Sequence, residues 1–144
     1  MNPFKSYYSN SNLPKPHSFA TVALHSDTGL LDIVSEVGKL LPQLSNFISQ
    51  FDTTVVKTGV NVITDTAGSM SIDVPNSMSD VEANNISTRL GIIDRLITTR
   101  GQEINTLLQK GLQLSKIKTE NPEYVSQLSD QIQEFRRLNE LYKH

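Results

Sequence analysis

The most constraining feature of this sequence is a series of apolar residues between Ser79 and Lys118 whose spacing alternates between four and three positions. Such spacing places side chains along one side of an α-helix and is the period of helices that pack as coiled coils. The positions are Ile86, Leu90, Ile93, Ile97, Ile104, Leu107 and Leu114, with Arg100 and Gly111 in the same series. The pattern predicts one long amphipathic helix, and Ser79 followed by Glu82 has the spacing of a capping box at its start.

A second amphipathic stretch runs from Asn121 to Tyr142 after a short break. Asn121 is a favourable N-cap, and Pro122 is suited to the first position of a helix. Because the connection is short, the two helices are predicted to lie antiparallel as a hairpin over residues 77–144. The final helix is the shorter of the two, so the first half of the long helix, around Ile86 to Ile97, must pack on the first helix or on another subunit.

Another predicted helix covers residues 27–51, with Ser26 or Asp27 as its cap. Its apolar residues again alternate between four and three: Leu30, Val34, Val37, Leu41, Leu44, Ile48 and Phe51, with Leu31, Ile33, Leu40 and Phe47 beside them. Pro42 lies inside this series, and because the apolar spacing continues past it we expect a kink rather than two helices. A stripe of this width exceeds what one neighbouring helix covers, so more than one partner surface is predicted.

Residues 53–74 have two alternative interpretations. The segment is rich in Val, Ile and Thr, whose branched side chains favour strands. Val56, Thr58, Val60 and Val62 alternate with Lys57, Gly59 and Asn61, and Met70, Ile72 and Val74 alternate with polar residues. Gly68 suits the turn between the two runs, so we favour a small β-hairpin. A lone two-stranded hairpin is marginal in water and must pack on the helices or on a sheet of another chain. The alternative is that the first helix continues to about Ile63.

Residues 1–26 are predicted to form an extended arm, because prolines and a Ser/Asn cluster disfavour a helix. Such a segment cannot bury enough apolar surface by itself to offset the entropy lost on ordering. One interpretation is a flexible tail. The other, which we adopt, is an arm whose aromatic residues anchor it on a neighbouring subunit, because aromatic side chains dominate interface energetics. The anchors would be Phe4, Tyr7, Tyr8 and Phe19.

The sequence carries no recognisable motif for catalysis or metal binding. It has no cysteine, and its histidines, at positions 17, 25 and 144, have no partner at metal-ligand spacing. It contains neither a nucleophile elbow nor a phosphate-binding loop. Several carboxylates lie at helix starts, where capping and the helix dipole explain them. We therefore expect no enzymatic activity, no metal, no cofactor and no small-molecule substrate.

Charge and hydropathy narrow the class of partner. The formal net charge is −2, whereas general nucleic-acid binders carry a basic excess, so nucleic acid is not an expected partner. No apolar run approaches the roughly 20 residues that span a bilayer, and the N-terminus lacks the features of a secretory signal. We expect synthesis in the cytoplasm, with a virion or a secretion apparatus as the candidate destinations.

The predicted fold class is mainly α: a kinked first helix, a long coiled-coil-like antiparallel helical hairpin, an extended N-terminal arm and a small β-hairpin. The predicted regions are residues 1–26, 27–76 and 77–144. The expected function is a non-enzymatic structural subunit of a large multi-protein assembly, such as a bacteriophage virion or tail component or a secretion-type rod or tube protein. Its partners would be other protein subunits, including copies of itself.

Subunit contacts would be made through the arm and through helix packing. Besides the arm aromatics, the predicted interface residues are Leu30, Val34, Val37, Leu41, Ile86, Leu90, Ile93, Ile97 and Arg100. Among the charged residues, Arg89 and Arg100 are the strongest candidates for a role in assembly. Arg100 occupies a position in the apolar seam, where a charge can specify a partner. One alternative function is a soluble helical adaptor that grips a partner helix in a groove. Another is membrane activity of residues 28–63, which their acidic polar face disfavours.

Overall fold

The computed structural model of this protein describes residues 29–117 and 120–142. Within them the chain forms helix α1 (Leu30–Thr58), strands β1 (Asn61–Thr64) and β2 (Met70–Asp73), helix α2 (Asp80–Ile117) and helix α3 (Pro122–Tyr142), in that order. The predicted fold class is confirmed, because the protein is mainly helical, with a long helix of 38 residues and one small sheet. The predicted arm, residues 1–26, and the predicted cap at Ser26 or Asp27 lie outside the described residues.

Helix α1 is continuous, and Pro42 lies inside it as an exposed residue. Proline lacks a backbone N–H and so removes one helical hydrogen bond, but it does not divide this helix. The helix ends at Gly59, which has a left-handed φ of 71° and donates its N–H to the carbonyl of Val55 at 2.9 Å. A side chain is disfavoured in that conformation, so Gly59 sets the end of α1.

The β-hairpin is shorter than the predicted span 53–74, because residues 53–58 belong to α1. The hydroxyl of Thr58 donates to the carbonyl of Thr54 at 2.6 Å, which satisfies this β-branched side chain within a helix. Val55 packs against the core on the apolar side of the same helix. Tertiary packing therefore outweighs the strand preference of these residues. The alternative prediction, in which the first helix continues beyond Phe51, is correct as far as Thr58.

The two strands pair antiparallel with Val62 opposite Ile72. The turn is held by the carboxylate of Asp65, which accepts the backbone N–H groups two and four residues later at 2.9 and 2.8 Å. Val62 and Ile72 pack against the helical core, whereas Ile63 is exposed. The hairpin thus rests on the helices, as the marginal stability of two strands requires.

Helix α1 is the central helix: it packs on both α2 and α3, which contact each other less. Near its start, Gln131 of α3 donates its Nε2 to the carbonyl oxygen of Val34 at 2.7 Å. Toward its end, the rings of Phe51 and Tyr142 meet edge to face with centroids 5.1 Å apart. The order of these contacts shows that α1 and α3 run in the same direction.

Helices α2 and α3 form the predicted antiparallel pair. Close to their connection, a Cβ built on Gly111 would lie 2.9 Å from Cδ1 of Leu128, so the two helices approach closely. Further along, the hydroxyl of Tyr142 donates to the carboxylate of Asp94. Since α3 ends there, the first part of α2 packs on α1 and the hairpin instead. The overhanging half of the long helix therefore finds its partner in the same chain.

One hydrophobic core runs through all three helices and joins the predicted regions 27–76 and 77–144. The buried stripe of α1 consists of Leu30, Ile33, Val34, Val37, Leu40, Leu41, Leu44, Ile48 and Phe51. Helices α2 and α3 together cover this stripe. The width of the stripe thus corresponds to two partner helices, and both belong to the same chain.

Candidate interaction surface

A groove of about 730 Å³ lies between the last turns of α1 and the first turns of α2. The residues that line its α1 side are all polar or charged. No residue of α3 lines the groove, since α3 packs on another side of α1. The lining residues are Ser49, Gln50, Thr53, Thr54, Lys57 and Thr58 of α1, and Asn85, Thr88, Arg89, Ile92, Ile93 and Leu96 of α2.

The apolar part of the groove comes from α2. Ile93 is buried and belongs to the core, Leu96 is half-buried, and Ile92 is 43% exposed. Ile92 and Leu96 are four residues apart and therefore lie one above the other on the same side of the helix. They form a short apolar ridge that the chain covers only in part.

The charged groups of the groove have one sign. Lys57 and Arg89 lie on its two opposite sides, and among the described residues no acidic side chain lines it. Neither cation forms an ion pair within residues 29–117 and 120–142. Lys57 also lies in the last turn of α1, where a cation is favourable near the helix C-terminus. Arg89 is an exposed residue of α2, so the groove is a cationic surface with an apolar floor.

Exposed apolar side chains are concentrated at the end of the bundle that carries the hairpin. Val56 is 80% exposed, Val81 69% and Ile63 53%. They belong to the last turns of α1, the first turn of α2 and β1, so they flank the end at which the groove lies. Elsewhere among the described residues, the exposed large apolar side chains are Leu31, Val125 and Leu141. Val56 belongs to a second, shallower depression with Phe51, Asp52, Val55 and Val62, so this end of the molecule exposes apolar side chains on more than one side and is a candidate contact surface.

The structure places most of the predicted interface residues inside the protein's own core. Leu30, Val34, Val37, Leu41, Leu90, Ile93 and Ile97 are all buried, and Ile86 is half-buried against them. Their side chains are covered by the same chain, so they leave little surface for a neighbour. The arm aromatics Phe4, Tyr7, Tyr8 and Phe19 lie outside the described residues.

Arg100, the predicted seam charge, pairs within its own helix. Its guanidinium lies 2.8 Å from the carboxylate of Glu103, and both side chains are mostly buried. Burial raises the pKa of Glu103, Arg100 lowers it, and Glu36 raises it further, with a net increase. In this structure Arg100 balances a buried carboxylate one turn away.

A polar contact that the sequence analysis did not anticipate joins the end of α3 to α1 and α2. Tyr142 donates its hydroxyl to Asp94 and places its ring against Phe51. Burial, together with the hydrogen bond to Asp94 and the charge of Asp52, raises the pKa of the Tyr142 phenol. These residues are far apart in the sequence, and only the antiparallel pairing of α2 with α3 brings them together. The contact holds the end of α3 in place.

The described residues contain no group of three or more His, Asp or Glu side chains that could hold a metal ion. The three histidines of the sequence all lie outside those residues. None of the described helices is both long enough and apolar enough to cross a membrane.

Comparison with known proteins does not identify a function, so the functional proposal is based on the groove and its surroundings. No protein-family model, no curated protein and no solved structure matches this chain.

Proposed function

We propose that this protein is a non-enzymatic structural subunit of a large multi-protein assembly, in which it binds other subunits, including copies of itself. The observation that carries the proposal is the exposure of Val56, Ile63 and Val81 at the hairpin end of the bundle, which is also the end at which the groove between α1 and α2 lies. Protein surfaces that bind other proteins expose clustered apolar side chains of this kind.

The basis of this proposal is the exposed end of the bundle and not the broad stripe of α1. That stripe is buried by α2 and α3, so it creates no need for a neighbouring subunit. Val56 and Val81, by contrast, are among the most exposed large apolar side chains of the described residues. Their transfer from water into an interface would contribute about 25 cal/mol for each Å² of apolar area buried.

The shape of the molecule fits a structural role. Helix α2 has 38 residues, which is about 57 Å at 1.5 Å per residue, and it extends well past α3. Long helices supply extended lateral surface for packing in rods, tubes and shells. The candidate assemblies remain a bacteriophage virion or tail and a secretion-type rod or tube, with residues 1–26 acting as a strap between subunits.

The perturbed titratable groups have structural partners, which supports the non-enzymatic part of the proposal. Glu103 pairs with Arg100, Glu134 accepts two hydrogen bonds from Arg137, and Tyr142 donates to Asp94. None of the three groups lines the groove. Their altered pKa values follow from burial and from these partners, so no separate chemical role is needed to explain them.

The second candidate function is a soluble adaptor that holds one partner helix. It is favoured by the geometry of the groove, because two antiparallel helices with space between them present a seat for a third. In this case the protein would bind a single partner and would not build an extended structure.

Substitutions at the hairpin end test the proposed assembly function. We expect Val56→Lys combined with Val81→Lys to prevent self-association, because an interface would have to bury two unpaired charges. Sedimentation velocity of the full-length chain measures the effect. The matched control is Val125→Lys on α3, a substitution at an exposed valine far from the groove. If the double variant sediments as the unsubstituted protein does, this end of the molecule is not the contact surface.

Deleting residues 1–25 tests the strap. We expect the shortened chain to lose self-association and to keep its helical circular dichroism signal, because every helix that the structure describes begins after this segment. A large loss of helical signal would show that the segment belongs to the folded core and is not a strap.

A further inference from the structure

The groove between α1 and α2 has the dimensions of a seat for one helix. Its α1 side runs from Ser49 to Thr58, which is about 14 Å along the helix axis at 1.5 Å per residue. That length accommodates two to three turns of a docked helix. A helix seated there would pack on both α1 and α2 and would extend the three-helix bundle to four.

The apolar floor of the groove favours a docked helix that has one apolar side. Ile92 and Leu96 present a ridge along α2, and Ile92 keeps 43% of its surface exposed. Ridges of this kind pack into the spaces between residues three and four apart on a facing helix. The occupant must therefore be amphipathic, with small or branched apolar residues at that spacing.

The positive charges at the rim of the groove favour a docked helix that carries negative charges. Lys57 and Arg89 stand on opposite sides, and neither forms an ion pair within the part of the chain that the structure describes. Arg95 lies seven residues after the lining residue Thr88 and so adds a third cation on the same side of α2. By the same spacing Glu82, seven residues before Arg89, lies on the Arg89 side of α2, and its carboxylate accepts a hydrogen bond from Ser79 at 3.2 Å. The rim is complementary to carboxylates on the flanks of a docked helix.

Two other occupants fit less well. Residues 1–28 of this chain carry Lys5 and Lys15 against the single acid Asp27, so their charge matches that of the groove rather than opposing it. A second copy of the bundle offers no free amphipathic helix, because α1, α2 and α3 each bury their apolar side in their own core. A groove-to-groove dimer would bring the cations of both copies together.

We propose that this groove binds an amphipathic α-helix of a different protein, whose carboxylates flank an apolar stripe and pair with Lys57 and Arg89. This inference rests on the proposed function, because it names the class of subunit that the assembly would contain beside copies of this chain. The apolar stripe would cover Ile92 and Leu96, which supplies affinity. The cations would set orientation and favour acidic partners over basic ones.

Two designed peptide helices of about five turns, labelled with a fluorophore, test the proposal. They share one Leu/Ala stripe and differ only in the flanking residues, which are Glu in one peptide and Lys in the other. Fluorescence anisotropy with the full-length protein should show the Glu peptide binding about tenfold more tightly than the Lys peptide, with a preference that weakens as salt is added. Equal binding of both peptides would overturn the charge-selective groove.

Variants locate the binding to this groove. Arg89→Glu should weaken the Glu peptide and strengthen the Lys peptide by about fivefold each, whereas Arg136→Glu, at an exposed cation of α3, should change neither. Ile92→Ser should weaken both peptides. Circular dichroism confirms that each variant is folded. If Arg89→Glu and Arg136→Glu have the same effect, binding follows net charge and the groove is not the site.

A third labelled peptide, residues 1–28 of this chain, tests the competing occupant. Displacement of the bound Glu peptide by this segment would show that the groove belongs to the chain's own N-terminus.

The outcomes also separate this inference from the proposed function. A chain that self-associates but does not bind the Glu peptide retains the assembly function and loses the groove partner, whereas a monomeric chain that binds it retains the partner and loses self-association.

Discussion

At the scale of single residues, the three glycines of α2 occupy different environments. A Cβ on Gly111 would lie 2.9 Å from Cδ1 of Leu128 and 3.3 Å from Cδ1 of Leu30, in the buried core, whereas nothing lies within 4 Å of a Cβ on Gly91 or Gly101. Gly111 is therefore a close contact between helices, and the other two are open positions. Their identical spacing of ten residues does not reveal this difference, because it follows from the packing of α3.

Alanine substitutions measure that difference. We predict that Gly91→Ala and Gly101→Ala each raise the free energy of unfolding by about 0.5–1 kcal/mol, because alanine is the better helix former. Gly111→Ala should lower it by about 1 kcal/mol, since crowding of the buried leucines outweighs the helical preference. Urea denaturation monitored by circular dichroism measures all three. A stabilising effect of Gly111→Ala would show that α2 and α3 are less closely packed there.

Glu103 gives a prediction about pH. Burial raises its pKa in the folded protein despite the nearby Arg100. The folded state therefore binds this proton more tightly than the unfolded state does, and stability from this group falls as the pH rises through the raised pKa. We predict that Glu103→Gln removes this loss, so that the variant gains stability relative to the unsubstituted protein between about pH 4 and pH 7.

Glu134 is the matched control, because its pKa is lowered by the hydrogen bond from Arg137. Stability from a carboxylate with a lowered pKa is present above its unfolded pKa and is lost on acidification. Glu134→Gln should therefore show a pH dependence of opposite sign, and a small one, since the pair lies at the surface. Urea midpoints measured across that pH range test both. The same sign for the two variants would contradict the assigned burial of Glu103.

At the scale of elements, the ends of the helices show what local sequence encodes. The capping box at the start of α2 is present, with the hydroxyl of Ser79 accepting the N–H of Glu82 at 3.2 Å. Asn121 likewise accepts the N–H of Glu123 at 2.8 Å at the start of α3. Both starts were predicted, because a cap and the apolar period that follows it are local features.

The end of α1 was not predicted, since local preference and tertiary packing disagree there. The β-branched residues after Phe51 favour a strand, but Val55 continues the apolar side of α1 into the core. The helix then ends where Gly59 can adopt its left-handed conformation. A glycine such as Gly59 is a common helix terminator and can be recognised in the sequence. Whether the helix reaches it depends on tertiary contacts that the sequence does not show.

A substitution at Gly59 tests this account of the helix end. We predict that Gly59→Ala lowers the free energy of unfolding by about 1 kcal/mol, because alanine is strained at a φ of 71°. Gly29→Ala is the control, since Gly29 has a φ of −90° and open space around it, and its effect should be under about 0.5 kcal/mol. Equal effects in urea denaturation would mean that the left-handed position is not what ends α1.

At the scale of the whole molecule, the apolar pattern shows how many partner surfaces α1 needs but not which chain supplies them. The stripe from Leu30 to Phe51 predicts more than one partner surface, and the structure identifies two, α2 and α3. The candidate groove was beyond sequence reasoning for the same reason. Lys57 and Arg89 line the same groove only because α1 and α2 are antiparallel.

The most direct test of an assembly function is the mass of the purified full-length chain in solution, measured by light scattering after size-exclusion chromatography over a range of concentrations. We predict masses that are multiples of 16.0 kDa and that increase with concentration. A folded chain that stays at 16.0 kDa at every concentration would contradict the proposal that copies of this protein bind one another.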